Sequence, residues 1–115
     1  MNIARLASLS VRERYLPSLL AGKMIGATAV TEPSGGSDVR SIRTKAVKEG
    51  NRYVLSGQEV WISNGHMADF VIALARTENG LSLFLVDREE HASRVAVLNC
   101  WASKAGELPR YCLMT

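Results

Sequence analysis

The chain has 115 residues, 47% of them hydrophobic, which suits one domain with a core and argues against wholesale disorder. Its 14 basic and 11 acidic residues leave a net charge of +3, scattered along the chain without the basic stripe that nucleic-acid binding needs. No apolar run approaches a membrane span, and Cys100 and Cys112 make neither a CxxC unit nor a zinc set with His66 and His91, so no metal is expected.

The opening "MNIARLASLSVRERYLP" carries Arg and Ser but no apolar stretch followed by a cleavage site. This argues against a secretory signal and leaves a transit peptide open; a cytoplasmic chain is expected, with a mitochondrial one as the alternative. Ser10 is placed to cap "VRERYLPSLLAGK", with Glu13 at the third helical position as in a capping box. Pro17 should interrupt or kink this helix, and Gly22 should end it.

From Ile25 the pattern changes. "IGATAV" is small and apolar, and it leads into "TEPSGGSD", whose Pro33, Gly35 and Gly36 predict a turn. "SIRTKAVKEG" then alternates, with Ile42, Thr44 and Ala46 on one face. "RYVLS", "EVWIS", "DFVIALAR", "LSLFLVD" and "RVAVLN" read as strands, separated by the turn chemistry of "KEGN", "SGQ", "NGHMA" and "TENG". Strands at this spacing with no helix between them predict a mainly β fold, an antiparallel barrel or sandwich behind a short N-terminal helix. Val54, Val60, Ile62, Val71, Ala73, Leu83 and Leu85 are expected to point largely inward. Residues 1–24 form a helical lead-in on this reading, and residues 25–115 the β domain.

Two stretches carry candidate chemistry. The glycine turn matches neither GxGxxG nor GxxxxGK[ST], yet backbone N–H groups around glycines can form an anion-binding nest, with Ser34 or Ser37 adding a hydroxyl. A plain connecting turn explains it as well. Glu32 and Asp38 flank it and could form an acid–base pair, although a turn Asp commonly bonds its own backbone. In "VWISNG", Trp61 and Ser63 would share one face of a strand and offer a flat ring beside a hydroxyl. A core tryptophan with a strand-end serine is the competing reading. His66 and His91 read as loop or surface residues, and the cysteines as reduced thiols.

Taken together, these stretches resemble the acyl-CoA dehydrogenase family, which carries A-x-T-E-P-x-A-G-S-D, then L-N-G-x-K-x-W-I-T-N, then A-D-x-x-x-x-x-A-R. Here the matching residues are Ala29-Val30-Thr31-Glu32-Pro33-Ser34-Gly35-Gly36-Ser37-Asp38, then Leu55-Ser56-Gly57-Gln58-Glu59-Val60-Trp61-Ile62-Ser63-Asn64, then Ala68-Asp69 and Ala75-Arg76. "YLPSLLAGKMIG" resembles the family's lead-in and "LSLFLVD" its later strand, so the likeness runs from about Val11 to Asp87.

The resemblance implies the central β domain of a three-part subunit, with the last helix before it; the family's C-terminal helical bundle and its catalytic glutamate have no counterpart in these residues, so no catalytic residue is assigned. It implies FAD as cofactor. Val30 and Thr31 would meet the pyrimidine edge of the flavin. Ser37 would bond the pyrophosphate and approach the substrate, with Gly36 letting the backbone come close. Trp61 would pack on the isoalloxazine, with Ile62 also in contact, and Ser63 would lie beside N5. On this reading the turn's carboxylates are structural. The implied reaction is α,β-dehydrogenation of an acyl-CoA or acyl-carrier-protein thioester, in a homo-oligomer reoxidised by an electron-transfer flavoprotein. The alternatives are a related flavoenzyme domain (an acyl-carrier-protein dehydrogenase, an oxidase or a flavin monooxygenase) and a truncated, non-catalytic barrel. Gly35, Ser56, Glu59 and Ser63 depart from the family's usual Ala, Asn, Lys and Thr, and Glu59, which reverses a charge, is expected at the surface.

Overall fold

A computed structural model describes residues 2–50, 52–88 and 111–114. "RVAVLN", His91 and Cys100 lie outside the described residues. The chain opens with helices α1 (Asn2–Leu6) and α2 (Leu9–Leu20). Ser8, not Ser10, caps α2 by accepting from the Val11 N–H. The helix therefore starts two residues earlier than expected, Val11 occupies the third position, and no capping box forms. Pro17 does not interrupt the helix, which runs on to Leu20. Pro17 and Glu13 both lie on the exposed side, where water can serve the carbonyl that the missing N–H leaves behind. Gly22 ends the helix as expected. It takes φ +67° and donates to the Leu19 carbonyl, while the Lys23 N–H reaches Ser18, a Schellman pair.

Six strands follow among the described residues: β1 (Gly26–Ala29), β2 (Lys45–Glu49), β3 (Arg52–Gly57), β4 (Phe70–Thr77), β5 (Gly80–Asp87) and β6 (Tyr111–Met114). They form one curled, mostly antiparallel sheet. β2 pairs antiparallel with β3, β3 with β6, and β4 with β5. On its other side β4 takes β1 in parallel over Phe70–Ala73 and touches β2 at Arg76. Glu78 and Asn79 close the β4–β5 hairpin, with the Thr77 hydroxyl bonding the Asn79 N–H and the Gly80 carbonyl.

β4 is apolar along most of its length because both of its faces are covered. Ala73 and Ala75 join Ala27, Ala29, Ala46, Leu55, Ile62, Ala68 and Val86 in the main core, with Val71, Phe84 and Tyr53 packed against it. Phe70 faces the other way, into a second cluster with Ile3 and Tyr15, and Ile72 and Leu85 pack beside it. The Tyr15 ring meets Phe70 edge-on, centroids 5.1 Å apart, and its hydroxyl donates to Asp87 at 2.6 Å. Arg14 pairs with the same carboxylate. Buried Asp87 thus fastens α2 to the end of β5.

Of the residues expected inward, Val60, Ile62 and Ala73 are buried, and Val54, Val71 and Leu85 are half-buried. Leu83 is a correction: it is 45% exposed. Side chains alternate along β5, so Phe84 and Val86 take the main core while Leu83 and Leu85 turn toward the helices. The Ile42, Thr44 and Ala46 alternation holds, all three being buried. "EVWIS" is the second correction. Residues 58–62 belong to no strand and 63–67 form a turn, and Trp61 and Asn64 both take φ +60°, outside regular strand geometry.

Candidate functional site

The site is built from two irregular segments that bulge from the sheet. The first follows β1. Glu32 and Gly35 exchange backbone hydrogen bonds of 2.9 and 3.0 Å, closing a tight turn over Pro33 and Ser34. Because each of those two N–H groups donates to the other residue's carbonyl, an anion at this turn would be met by the donors beyond Gly35. Gly36 is required by a close approach: a Cβ there would lie 2.9 Å from the Thr31 methyl. Asp38 accepts from the Arg40 N–H and starts a short 3₁₀ turn over Val39–Ser41, a capping role.

The second segment follows β3, and the Val60 N–H fastens it to the Thr31 carbonyl at 2.6 Å. Thr31 therefore touches Gly36 on one side and the segment that carries Trp61 on the other. The chain then tightens through bonds from Gly65 to Ile62 and from Met67 to Asn64, with Ser63 and His66 exposed. Trp61 is 61% exposed, so the core reading fails. It shares no strand face with Ser63, because the left-handed turn at Trp61 breaks the alternation. Val30, Thr31 and Gly36 are half-buried, and Ser37 is exposed. Ile62 is buried in the main core, 3% exposed, and its carbonyl accepts from the Gly65 N–H.

Beneath the two segments lies a carboxyl pair. Glu32 is 6% exposed and accepts from the backbone N–H groups of Arg43 and Thr44 and from the hydroxyls of Thr44 and Ser34. Burial alone would raise its pKa; these donors, led by the Thr44 hydroxyl, outweigh burial and hold it below the usual carboxylate range. Glu59 is 3% exposed, with its Oε1 3.1 Å from the same Thr44 hydroxyl and its Oε2 buried without a partner. Burial, reinforced by the charge of Glu32 and opposed by the Thr44 hydroxyl, pushes Glu59 up to about 7. Gly57 makes room for the bridge, since a Cβ there would fall 2.1 Å from Thr44 Oγ1.

The two segments carry the motif residues in chain order. Residues 27–107 match the acyl-CoA dehydrogenase middle domain. The chain belongs to the acyl-CoA dehydrogenase family. It is 41% identical over 94 residues to mitochondrial isovaleryl-CoA dehydrogenase of Pongo abelii, covering 76% of this chain and 22% of that protein. It is 45% identical over 92 residues to cyclohexane-1-carbonyl-CoA dehydrogenase of Geobacter metallireducens, covering 76% and 24%. Among solved structures it superposes on glutaryl-CoA dehydrogenase of Mycobacterium smegmatis in complex with FADH2, with a TM-score of 0.75 and 37% identity over 77% of this chain and 23% of that one. The chain thus spans about a quarter or less of these relatives.

Against this family frame, one sequence expectation is overturned. Glu59, where the family usually carries Lys, is not at the surface. Its run turns inward between β3 and Trp61, and Val60 and Ile62 go with it. Glu32 and Asp38 behave as structural carboxylates. The sequence reading missed Thr44 as the residue that joins the two glutamates, although its place between Ile42 and Ala46 on an inward face was a signal, since a buried hydroxyl needs a partner. Among the described residues no cluster of three or more His, Cys, Asp or Glu could hold a metal ion, and no helix is long and apolar enough to cross a membrane.

Proposed function

We propose that this chain supplies the flavin-facing wall of an acyl-CoA dehydrogenase, with residues 1–24 as the end of a preceding helical domain and 25–115 as the β domain. The observation that carries this reading is Trp61. A large indole stands mostly in water, on a backbone held at φ +60°, beside Thr31 of the motif turn. Strain and exposure of this kind persist at positions that serve a ligand.

The residues suit FAD. The exposed indole offers a flat apolar face, Thr31, Ser37 and Ser63 add hydroxyls, and the turn at Gly36 exposes backbone beyond the closed Glu32–Gly35 pair. Val30 and Thr31 would hold the pyrimidine edge, Ser37 and Gly36 the pyrophosphate, and Trp61, the Ile62 backbone and Ser63 the ring system, with Ser37 also near the substrate. When bound, FAD supplies the acceptor for the hydride that leaves the β-carbon of an acyl-CoA or acyl-carrier-protein thioester. The protein's own part here is to bind, orient and exclude water. The α-proton would be taken by a glutamate of another domain, in a homo-oligomer that passes electrons to an electron-transfer flavoprotein.

The test is a titration of the chain with FAD, alone and mixed with the helical segments of a relative, following flavin fluorescence. Stacking on Trp61 should quench it; Trp61→Ala should remove the quenching and Ser37→Ala should weaken binding. Equal quenching by the parent and Trp61→Ala would overturn the reading.

A further inference from the structure

Thr44 has one hydroxyl proton and two carboxyl neighbours. Its oxygen lies 2.7 Å from Glu32 Oε1 and 3.1 Å from Glu59 Oε1, and a single proton cannot serve both. Glu32 holds the stronger claim, because the Arg43 and Thr44 N–H groups already define it as an acceptor. If Glu59 were also ionised, its Oε1 would face the lone pairs of Thr44, and its Oε2 would be a buried anion without a donor. A protonated Glu59 resolves the conflict: its O–H donates to Thr44, and the Thr44 O–H donates onward to Glu32.

We propose that Glu59 is a positioning residue. Protonated, it completes a Glu59–Thr44–Glu32 relay that holds the Trp61–Asn64 turn against the Thr31–Asp38 turn; ionised, it releases the Trp61 turn. The relay joins the two turns whether or not a flavin lies on them. Gly57 supports it from β3, where any side chain would displace the Thr44 hydroxyl. Glu32 is the charged group bonded into the cluster. Arg43 donates its backbone N–H while its side chain stands in solvent, and the Arg76 guanidinium is held by the Arg40 and Ile42 carbonyls. Asp38 serves the 3₁₀ turn, and His66 is exposed further along the Trp61 segment. Burial beside Glu32 brings the ionisation of Glu59 to about 7, so the tether changes state around neutral pH. Once it opens, the turn keeps the bond from Val60 to Thr31 and the buried Val60 and Ile62 but loses the tether beneath it, while Trp61 stays in a backbone conformation that costs free energy.

The experiment uses the 115-residue chain carrying Trp101→Phe, which leaves Trp61 as the one indole. Its emission is followed across neutral pH, alongside ¹³C NMR of the glutamate carboxyls. One emission step near pH 7 is expected, in step with one glutamate resonance. Glu59→Gln, whose amide can donate to Thr44, should abolish the step and hold the low-pH spectrum, whereas His66→Gln should leave it intact. A step that survives Glu59→Gln or disappears with His66→Gln overturns the proposal. Should Glu59→Gln fail to fold, the ¹³C titration of the glutamate-intact chain decides, and it overturns the proposal if no glutamate titrates together with the indole.

Discussion

At Trp61 the backbone and the side chain make separate demands. A non-glycine residue at φ +60° costs on the order of 1–2 kcal/mol, and a mostly exposed ring recovers little of that through burial. Trp61→Ala should therefore change the melting of the bare domain by no more than about 1 kcal/mol, where the same change in a core costs roughly 3–5 kcal/mol. A Tm drop of the core size, with flavin affinity unaltered in what remains folded, would return Trp61 to a packing role. Glu59 sets the pH behaviour. Its folded value is raised from the usual 4.5 to about 7, so the folded state holds more protons than the unfolded one between those values. Stability should fall as pH rises through that window, by on the order of 3 kcal/mol, and level off above it. Glu32 is shifted the other way: its contribution is present above the usual carboxylate value and lost as pH falls through its lowered folded value. Denaturant unfolding at pH 5 and pH 8 should show the parent weaker at pH 8 and Glu59→Gln nearly level. A parent as stable at pH 8 as at pH 5 would contradict this.

Among the elements, α2 is fastened through Arg14 and Tyr15 to the buried Asp87 carboxylate. Asp87→Ala would take the acceptor away from the buried Tyr15 hydroxyl, at a cost of about 1–3 kcal/mol, whereas Tyr15→Phe removes the donor and costs about 1 kcal/mol. Hydrogen exchange should quicken in α2 far more than in β3 or β4 of Asp87→Ala; uniform quickening would mean that Asp87 supports the sheet rather than the helix. The elements also show where the sequence could be read. Gly22, the Ile42–Thr44–Ala46 alternation and the "TENG" hairpin were legible because each is a local rule met by local residues. The helix start was misread because Ser8 and Ser10 both suit a cap. "EVWIS" was misread as a strand because Val, Trp and Ile favour strands, while the bond that diverts the segment comes from Thr31 on another part of the chain. Glu59 was misplaced at the surface for the same reason, its burial depending on Thr44 and Glu32, which no local pattern around residue 59 contains.

For the whole molecule, the motif turns were legible from the sequence as a pair, and their joining through Thr31 accords with that reading; the carboxyl relay beneath them was not legible. This chain spans 22% of isovaleryl-CoA dehydrogenase and 24% of cyclohexane-1-carbonyl-CoA dehydrogenase. Its candidate site is one open wall, and its two buried glutamates are engaged by Thr44 beneath the turns instead of facing outward as a base. Oxidation of an acyl thioester needs a base at the α-carbon and an enclosed, oriented flavin, and among the described residues the wall offers no outward-facing buried glutamate for that work. Leu6, Leu9, Leu20 and Leu83 are exposed on the helices and on the sheet face turned toward them, leaving apolar area in water at roughly 25 cal/mol per Å². The purified 115-residue chain should therefore show no turnover of any acyl-CoA with an artificial electron acceptor, even at saturating FAD. Added helical segments of a relative should tighten flavin binding if they cover this wall. Turnover by the chain alone, free of contaminating dehydrogenase, would show that a base sits within these 115 residues.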